Sequence, residues 1–162
     1  MGMLLYTTFD SPLGELLLLG DGDALCGLYM QEGRTARKIR SDWEPSEEPF
    51  AAVRAQLDEY FAGRRTDFDV PLAMSGSSFQ LRAWQALREI PYGETISYGE
   101  QARRIDCPSP RAVGVANGQN PVSLIVPCHR VIGADGSLTG YGGGLERKRF
   151  LLDLEAGTPA FV

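Results

Sequence analysis

The stretch VPCHRV, from Val126 to Val131, places a cysteine directly beside a histidine. The chain has 162 residues with one histidine and three cysteines, so its only imidazole, His129, adjoins the thiol of Cys128. A free thiol has a pKa of about 8.5, so it needs a neighbouring base or cation to become a nucleophile at neutral pH. Cys128 and His129 are therefore candidates for a nucleophile and its base, with Arg130 as a further source of positive charge.

The alternative is an inert cysteine buried in a strand. Adjacent residues of a strand point to opposite faces, so in a plain strand over residues 120–132 the thiol and the imidazole would diverge. Pro127 argues against a central strand, because proline has no N–H to give to the ladder. We therefore expect the apolar run to end near Val126 and a turn to begin there. The residues alone leave both interpretations open.

A catalytic imidazole also needs an acceptor that orients its ring, usually a carboxylate. Four carboxylates follow the pair, and their spacing does not choose among them: Asp135, Glu146, Asp153 and Glu155. Between the pair and the last helix, four glycines lie within residues 140–144, around Tyr141. Glycines of this density let a backbone come close to a ligand, so the segment is a candidate pocket lip as well as a candidate surface loop.

The cysteines do not indicate a metal site or a disulfide framework. Cys26, Cys107 and Cys128 are odd in number and widely spaced, and no C-x-x-C or H-x-x-x-H pair supplies half of a zinc site. This usage is typical of a reducing compartment. The chain also lacks an apolar stretch of about 18 residues and a signal peptide at its start, so we expect a cytoplasmic protein.

The pattern of elements changes at the stretch SGSS, residues 75–78. Before it, short apolar runs separated by turn residues predict antiparallel strands, followed by one amphipathic helix that begins near Pro49 and ends at Gly63. After it, the chain is mostly helical. We predict an α+β protein with two domains, a strand-rich α/β domain at 1–76 and a mostly helical domain at 77–162.

The second domain contains two short helical stretches, ISYGEQARRI and SPRAVGVANG, joined by a tight connection that is typical of a helix-turn-helix. The closing helix, LERKRFLLDLEAG, is predicted to turn four apolar residues mostly inward: Leu145, Phe150, Leu152 and Leu154. Charge is uneven, because residues 1–76 carry a net −6 and residues 101–149 a net +4. That balance is compatible with a small polyanion footprint and equally with solvated helix faces.

The segment NPVSLIVPCHRVIG, with RAVGVANGQNP before it and GYGGGLERKRFLLDLE after it, resembles the O6-alkylguanine-DNA alkyltransferase family. The resemblance runs from about Phe79 to Glu155, and IPYGETISYGEQA matches a further block. It implies a ribonuclease H-like first domain and a winged helix-turn-helix-like second domain. The implied activity is direct-reversal DNA repair without a cofactor. An alkyl group passes irreversibly and only once from O6 of guanine in DNA to Cys128, the reaction of a methylated-DNA–protein-cysteine methyltransferase.

The resemblance also implies roles for individual residues. Cys128 attacks the alkyl carbon, His129 takes the thiol proton through a water, and Glu155 orients the imidazole. Asn120 braces the turn that presents the cysteine. Tyr98 donates a proton to the departing base and sits against the DNA backbone.

For DNA binding, the resemblance implies that Arg111 enters the base stack from the minor groove where the target nucleotide was. The other implied DNA contacts are Tyr98, Gly99, Ala112, Gly114 and Gln80, and the implied guanine pocket is lined by Val131, Tyr141, Gly142 and Gly143. Small residues on the helix, among them Ala116, are expected to let it approach the groove closely. The sequence departs from some members at Pro110, at Gly142 and in lacking zinc ligands near its start.

The implied partner is double-stranded DNA that contains O6-alkylguanine, with no membrane. The protein is expected to be a monomer in solution, and whether molecules assemble cooperatively on DNA stays open. An alternative is a non-catalytic alkyltransferase-like protein that binds the lesion, but such proteins carry another residue where Cys128 stands. A third interpretation, a Cys-His hydrolase, has no support beyond the pair itself.

Overall fold

A four-stranded sheet forms the first part of the computed structural model, which describes residues 3–31, 36–141 and 143–157. Its strands, in the spatial order β3-β2-β1-β4, are β1 (Leu5–Ser11), β2 (Gly14–Gly20), β3 (Leu25–Met30) and β4 (Glu44–Pro45). The first three strands pair antiparallel and β4 pairs parallel to β1. Gly14, at φ 95°, closes the two-residue turn between β1 and β2, a conformation that glycine adopts without strain.

One helix completes this part. A single 3₁₀ turn at Glu48–Phe50 leads into α1 (Ala51–Phe61), and Gly63 at φ 75° ends it. Its buried residues, Val53, Leu57 and Tyr60, recur at three and four positions and join the apolar core formed with the sheet. The predicted helix is confirmed, with Pro49 in the 3₁₀ turn just ahead of it.

The second part begins with three capped helices: α2 (Ser78–Arg88), α3 (Tyr98–Arg104) and α4 (Pro110–Gly118). Ser77 and Gln80 form a capping box on α2, while Ser97 and Ser109 cap the other two helices. Inside the bundle, Gln101 and Asn117 exchange side-chain hydrogen bonds of 2.9 and 2.8 Å between α3 and α4. The predicted helix-turn-helix is thus held at a fixed angle.

The segment before the Cys-His pair is irregular rather than a strand. It is fastened to the edge of the sheet, because Leu28 of β3 donates to the Pro121 carbonyl and accepts from the Ser123 N–H. A 3₁₀ turn at Cys128–Arg130 follows, then β6 (Val131–Ile132), which pairs parallel to β5 (Ile96–Ser97). The final element is α5 (Leu145–Glu155).

The expected inner face of α5 is confirmed only in part, because Phe150 and Leu154 pack against the apolar core and Leu145 does not. Leu145 is 50% exposed and the three other apolar residues named for that face are only partly buried, whereas the buried residues are Lys148, Leu151 and Glu155. Apolar periodicity misses Lys148 and Glu155, because these buried residues carry charges that find partners inside the protein. Within residues 3–31, 36–141 and 143–157, every helix is too short or too polar to cross a bilayer.

Candidate active site

Cys128 and His129 lie on a 3₁₀ turn, where successive side chains are separated by about 120° rather than the 180° of a strand. The turn begins after Pro127, as the proline predicted. Asn120 holds it from behind: its Nδ2 donates to the Val126 carbonyl at 2.8 Å, and its Oδ1 accepts from the backbone N–H of Val122 at 3.0 Å. Because Asn120 is buried, these bonds fix the backbone that presents the thiol.

The acceptor for the imidazole is Glu155, on the last turn of α5. His129 Nε2 lies 2.7 Å from Glu155 Oε2, and both side chains are buried. Arg130 grips the same carboxylate with two bonds, Nε to Oε1 at 2.7 Å and Nη2 to Oε2 at 3.0 Å. Its remaining nitrogen, Nη1, donates to the Ile90 carbonyl at 2.7 Å. The Arg130 guanidinium therefore binds the Glu155 carboxylate. The sequence had suggested that its positive charge would act on the Cys128 thiol.

These contacts decide which groups are charged. Burial alone would raise the pKa of Glu155, but the hydrogen bonds from His129 and Arg130 outweigh it and hold that pKa at about 2. An ionised carboxylate can only accept, so Nε2 of His129 carries a hydrogen. Burial lowers the pKa of His129 below its ordinary value even though Glu155 opposes the shift. The imidazole is therefore neutral at rest.

At rest, Cys128 is a thiol. Burial raises the pKa of Cys128, although a hydrogen bond with Asn120 and the charge of Lys148 oppose the shift. His129 Nδ1 is buried and has no hydrogen-bond partner among the described residues. That nitrogen is the free acceptor of the imidazole, so it is the atom able to receive a proton from the thiol, directly or through a water.

Lys148 lies at the site, although in the sequence it is only one of the positive charges of residues 101–149. Its side chain is fully buried, and its Nζ donates to the carbonyls of Val131 at 2.6 Å and Thr139 at 2.8 Å. Nζ also lies 5.8 Å from the ring centroid of Tyr98. The available signal was its spacing, because Lys148 precedes the last glutamate of α5 by seven residues and so lies on the same face of the helix.

The residues expected to line the guanine pocket lie around this lysine and the strand-rich part. Val131 and Tyr141 are buried, and Tyr141 Oη is 3.9 Å from Met30 Sδ at the end of β3. A Cβ at Gly143 would collide with Met30 Sδ and with the Tyr141 ring, so any other residue there would force these side chains to move. Gly142 lies outside the described residues. Burial raises the pKa of Tyr141, and the nearby sulfur of Cys128 adds to the effect.

Tyr98, at the start of α3, links the turn to the helix-turn-helix. Its Oη donates to the Thr139 carbonyl at 3.0 Å. Burial raises its pKa, to which Cys128 also contributes, so the phenol stays protonated. A Cβ on Gly114 would lie 3.7 Å from the Tyr98 ring, an ordinary van der Waals distance, so the packing of α4 against Tyr98 does not require glycine at this position. Gly99 follows on the exposed side of α3.

The exposed face of α4 differs in part from the expected one. Arg111 is exposed and makes no hydrogen bond or ion pair with any described residue, while the Ala112 N–H is capped by Ser109. Ala116, expected at the groove, instead lies in the core, where its carbonyl accepts from Trp84 Nε1. The exposed apolar residue of the helix is Val115, at 57%.

Gln80 has a structural partner as well as its expected place on the DNA side. Its side chain closes the capping box of α2 and donates to Gln119 Oε1 at 2.7 Å. Nowhere in the described part of the chain do three or more histidine, cysteine, aspartate or glutamate side chains come together in a way that could hold a metal ion.

The fold and the site together define a helix-turn-helix protein that carries a cysteine beside a carboxylate-oriented histidine. Two family models match the chain: 6-O-methylguanine DNA methyltransferase, ribonuclease-like domain, over residues 4–74, and 6-O-methylguanine DNA methyltransferase, DNA binding domain, over residues 78–157. The chain belongs to the 6-O-methylguanine DNA methyltransferase family. The family predicted from the sequence resemblance is confirmed, and so is the predicted α+β fold class.

The relatives match along nearly the whole chain. A methylated-DNA–protein-cysteine methyltransferase of Mycobacterium tuberculosis is 55% identical over 154 residues, which are 94% of this chain and 93% of the relative. One from Methanosarcina acetivorans is 50% identical over 151 residues, 93% of this chain and 97% of the relative. The crystal structure of Mycobacterium tuberculosis OGT in complex with DNA superimposes with a TM-score of 0.90 at 53% identity, covering 96% of each chain.

Proposed function

We propose that Cys128 is the residue that receives the alkyl group in the family reaction, direct reversal of DNA alkylation. The substrate is O6-alkylguanine in double-stranded DNA, and the product is an S-alkyl cysteine in the protein itself. The observation that carries this assignment is the buried chain of contacts from Glu155 through His129 to the turn that presents the thiol. No cofactor is needed, because the protein supplies both the nucleophile and the base.

The reaction balances with the groups present. The free Nδ1 of His129 accepts the thiol proton through a water, and the negative Glu155 stabilises the imidazolium that forms. The sulfur then bonds to the alkyl carbon while the bond from that carbon to O6 breaks. Tyr98 donates its phenol proton to the departing guanine, and the imidazolium then passes the former thiol proton through water to the Tyr98 phenolate, so the net proton transfer is from the thiol to guanine. A thioether is a poor leaving group, so each protein molecule reacts once.

A lesion inside a duplex is out of reach of this buried turn, so the base must leave the stack at a cost of a few kcal/mol. We assign Arg111 to the vacated space, because its guanidinium is exposed, unpaired among the described residues and able to stack. The remaining DNA contacts are assigned to residues of α2, α3 and α4: Gln80, Tyr98, Gly99, Ala112 and Gly114. Minor-groove docking suits a protein that must inspect any guanine, since that groove carries little sequence information.

The flipped guanine is assigned to a pocket lined by Val131, Tyr141, Gly142 and Gly143. Lys148 fixes the backbone of the proposed pocket at Val131, because its Nζ donates to the Val131 carbonyl. The carbonyl and N–H groups of the glycine loop are the polar contacts available to the base, since glycine stands at positions 142 and 143.

We further propose that the chain divides into a supporting domain at 1–76 and a DNA-binding, active-site domain at 77–162. The more acidic first domain then faces away from DNA, and the locally basic segment 101–149 faces it. The protein is proposed to act in the cytoplasm as a monomer. The lesion-binding alternative is not favoured, because Cys128 is present and relatives of 50–55% identity bear the methyltransferase name.

The test is mass spectrometry after incubation with a duplex that contains one O6-methylguanine. The protein should gain the mass of one methylene group, located on Cys128, and no more with excess substrate. Cys128→Ser should gain nothing, while the matched variant Cys107→Ser should react like wild type. Lesion binding without any gain in mass would instead favour the non-catalytic alternative.

A further inference from the structure

The carboxylate that orients His129 has a partner from the other end of the chain. Tyr60, on α1, donates from Oη to Glu155 Oε2 at 2.5 Å, across a separation of 95 residues. The tyrosine is fully buried, and the glutamate is 6% exposed. A buried O–H bonded this closely to a carboxylate is a charge-assisted hydrogen bond, which is roughly twice as strong as a neutral one.

Tyr60 can act only as a donor. Burial and the adjacent Glu155 raise the pKa of Tyr60 far above its ordinary value, so the phenol keeps its proton. Its ring is held by aromatic neighbours: Phe61 and Tyr92 lie edge-on, and Phe68 is tilted at 5.3 Å between centroids. A phenylalanine would fill the same space, so packing alone does not account for the hydroxyl.

The three donors to Glu155 do different things. Arg130 binds both carboxylate oxygens and so fixes the orientation of the group. Oε2 receives two further donors, His129 Nε2 and Tyr60 Oη, whereas Oε1 receives only Arg130 in the described residues. The Tyr60 phenol and the His129 imidazole therefore donate to the same carboxylate oxygen, Glu155 Oε2.

We infer that Tyr60 is a positioning residue of the methyl-transfer site, which acts through Glu155 to limit how strongly that carboxylate attracts the proton of His129. A hydrogen bond to Oε2 spreads its negative charge, so the bond from His129 Nε2 is weaker than it would be with the charge unshared. The imidazole then stays neutral at rest and keeps Nδ1 free for the thiol proton. This inference rests on the proposed role of His129 as the base.

The charged and titratable groups around His129 come from several elements. Glu155 and Lys148 face it from α5, and Cys128 and Arg130 flank it on its own turn. Of the tyrosines nearest this network, Tyr92 and Tyr141 interact with the charge of Glu155 but make no hydrogen bond to it, and Tyr60 does. Through Tyr60 and Glu155, the strand-rich part of the chain acts on the base.

The inference can be tested directly because the chain has one histidine. Nuclear magnetic resonance of protein without a histidine tag, with the imidazole labelled with nitrogen-15, reports the Nε2–H proton of His129 alone. In Tyr60→Phe we expect this proton resonance to move downfield, because the bond to Glu155 strengthens. The midpoint of the imidazole titration should move to higher pH for the same reason.

The matched control is Tyr92→Phe, which removes a neighbouring phenol whose Oη is 3.4 Å from the Leu154 carbonyl rather than on the glutamate. Its Nε2–H resonance should stay at the wild-type position. An unchanged resonance in Tyr60→Phe, or an equal shift in both variants, would overturn the inference. Should Tyr60→Phe fail to fold, 3-fluorotyrosine placed at position 60 gives a stronger donor, and the resonance should then move upfield; no movement there also overturns it.

Methyl transfer separates this inference from the proposed function. If wild-type protein gains no methyl group from the lesion duplex, the proposed function fails whatever the resonance shows. If wild type reacts and the resonance does not respond to Tyr60, only the inference fails. Duplex affinity should be the same in both tyrosine variants, because neither side chain lies on the proposed DNA face.

Discussion

His129 Nε2 and Glu155 Oε2 lie 2.7 Å apart with both side chains buried, which makes a carboxylate at the end of α5 the partner of the chain's one imidazole. The two residues are 26 positions apart, and a turn and a helix from different places in the sequence bring them together. In the proposed reaction the imidazolium forms against this negative charge, so the pair is expected to govern both rate and stability.

Glu155→Gln should slow methyl transfer by about a hundredfold or more, because the imidazolium loses its counter-charge. The free energy of unfolding should fall by about 3–5 kcal/mol, since Arg130 is left buried without an opposing charge. Single-turnover kinetics on a lesion duplex and urea unfolding measure the two effects. Glu146→Gln, an exposed change on the same helix, should leave both near wild type. Equal effects of the two substitutions would contradict the assignment.

The same carboxylate predicts how stability depends on acid. The pKa of Glu155 is about 2 in the folded protein against an ordinary value of 4.5, so its contribution is complete above pH 4.5 and is lost as pH falls towards 2. The difference corresponds to about 3 kcal/mol. Burial lowers the pKa of the neutral His129, so the protein also loses stability through this residue as the pH falls below 6.5. Urea unfolding between pH 7 and pH 3.5 should show this loss, and Glu155→Gln should flatten the part below pH 4.5.

The turn was predictable from sequence because its cause is local: Pro127 lacks an N–H, so a central strand could not run through the Cys-His pair. The capped helices were predictable for the same reason, since Ser97 and Ser109 act within three residues. The partner of the imidazole was not, because spacing left four carboxylates equivalent, and it was the family resemblance that pointed to Glu155.

What the sequence could not reveal depends on contacts between distant elements. From the sequence, Lys148 is expected to be a surface charge, but in the structure its ammonium group is turned inward and donates to two carbonyls. Tyr60 lies on the buried face of α1, but nothing in the local sequence shows that its hydroxyl meets α5. Buried polar groups are chosen by tertiary partners, so hydrophobic pattern alone misplaces them.

Asn120→Ala should destabilise the protein and slow the reaction together. The substitution leaves the Val122 N–H without a partner, at a cost of about 1–3 kcal/mol for a buried unsatisfied group, and removes one of the two donors to the Val126 carbonyl, which keeps its bond from the Cys128 N–H. Methyl transfer should slow because the turn no longer holds the thiol in place. Thermal unfolding and single-turnover kinetics measure the two effects. The control is Gln119→Ala, which changes the exposed neighbouring residue and should leave both near wild type. Wild-type stability in Asn120→Ala would show that the turn does not depend on it.

Val115→Glu should weaken binding to duplex DNA by about tenfold without affecting stability, because a negative charge would be brought to the phosphates. Val115 is 57% exposed, four residues after Arg111 on α4. Fluorescence anisotropy with a labelled duplex measures the affinity. Met3→Glu changes another apolar residue of 58% exposure and should bind like wild type. Equal losses in the two variants would indicate a general charge effect rather than a contact through α4.

Arg111→Ala should separate base flipping from chemistry. Arg111 is exposed and has no partner among the described residues, so its removal should leave stability unchanged. On a lesion duplex the rate should fall by about ten- to a hundredfold, because the flipped state loses the guanidinium that fills the stack. On free O6-benzylguanine, which needs no flipping, the rate should equal that of wild type. Arg149→Ala, an exposed arginine on α5, should react normally with both substrates, and a loss on the free base in Arg111→Ala would instead place Arg111 in the chemical step.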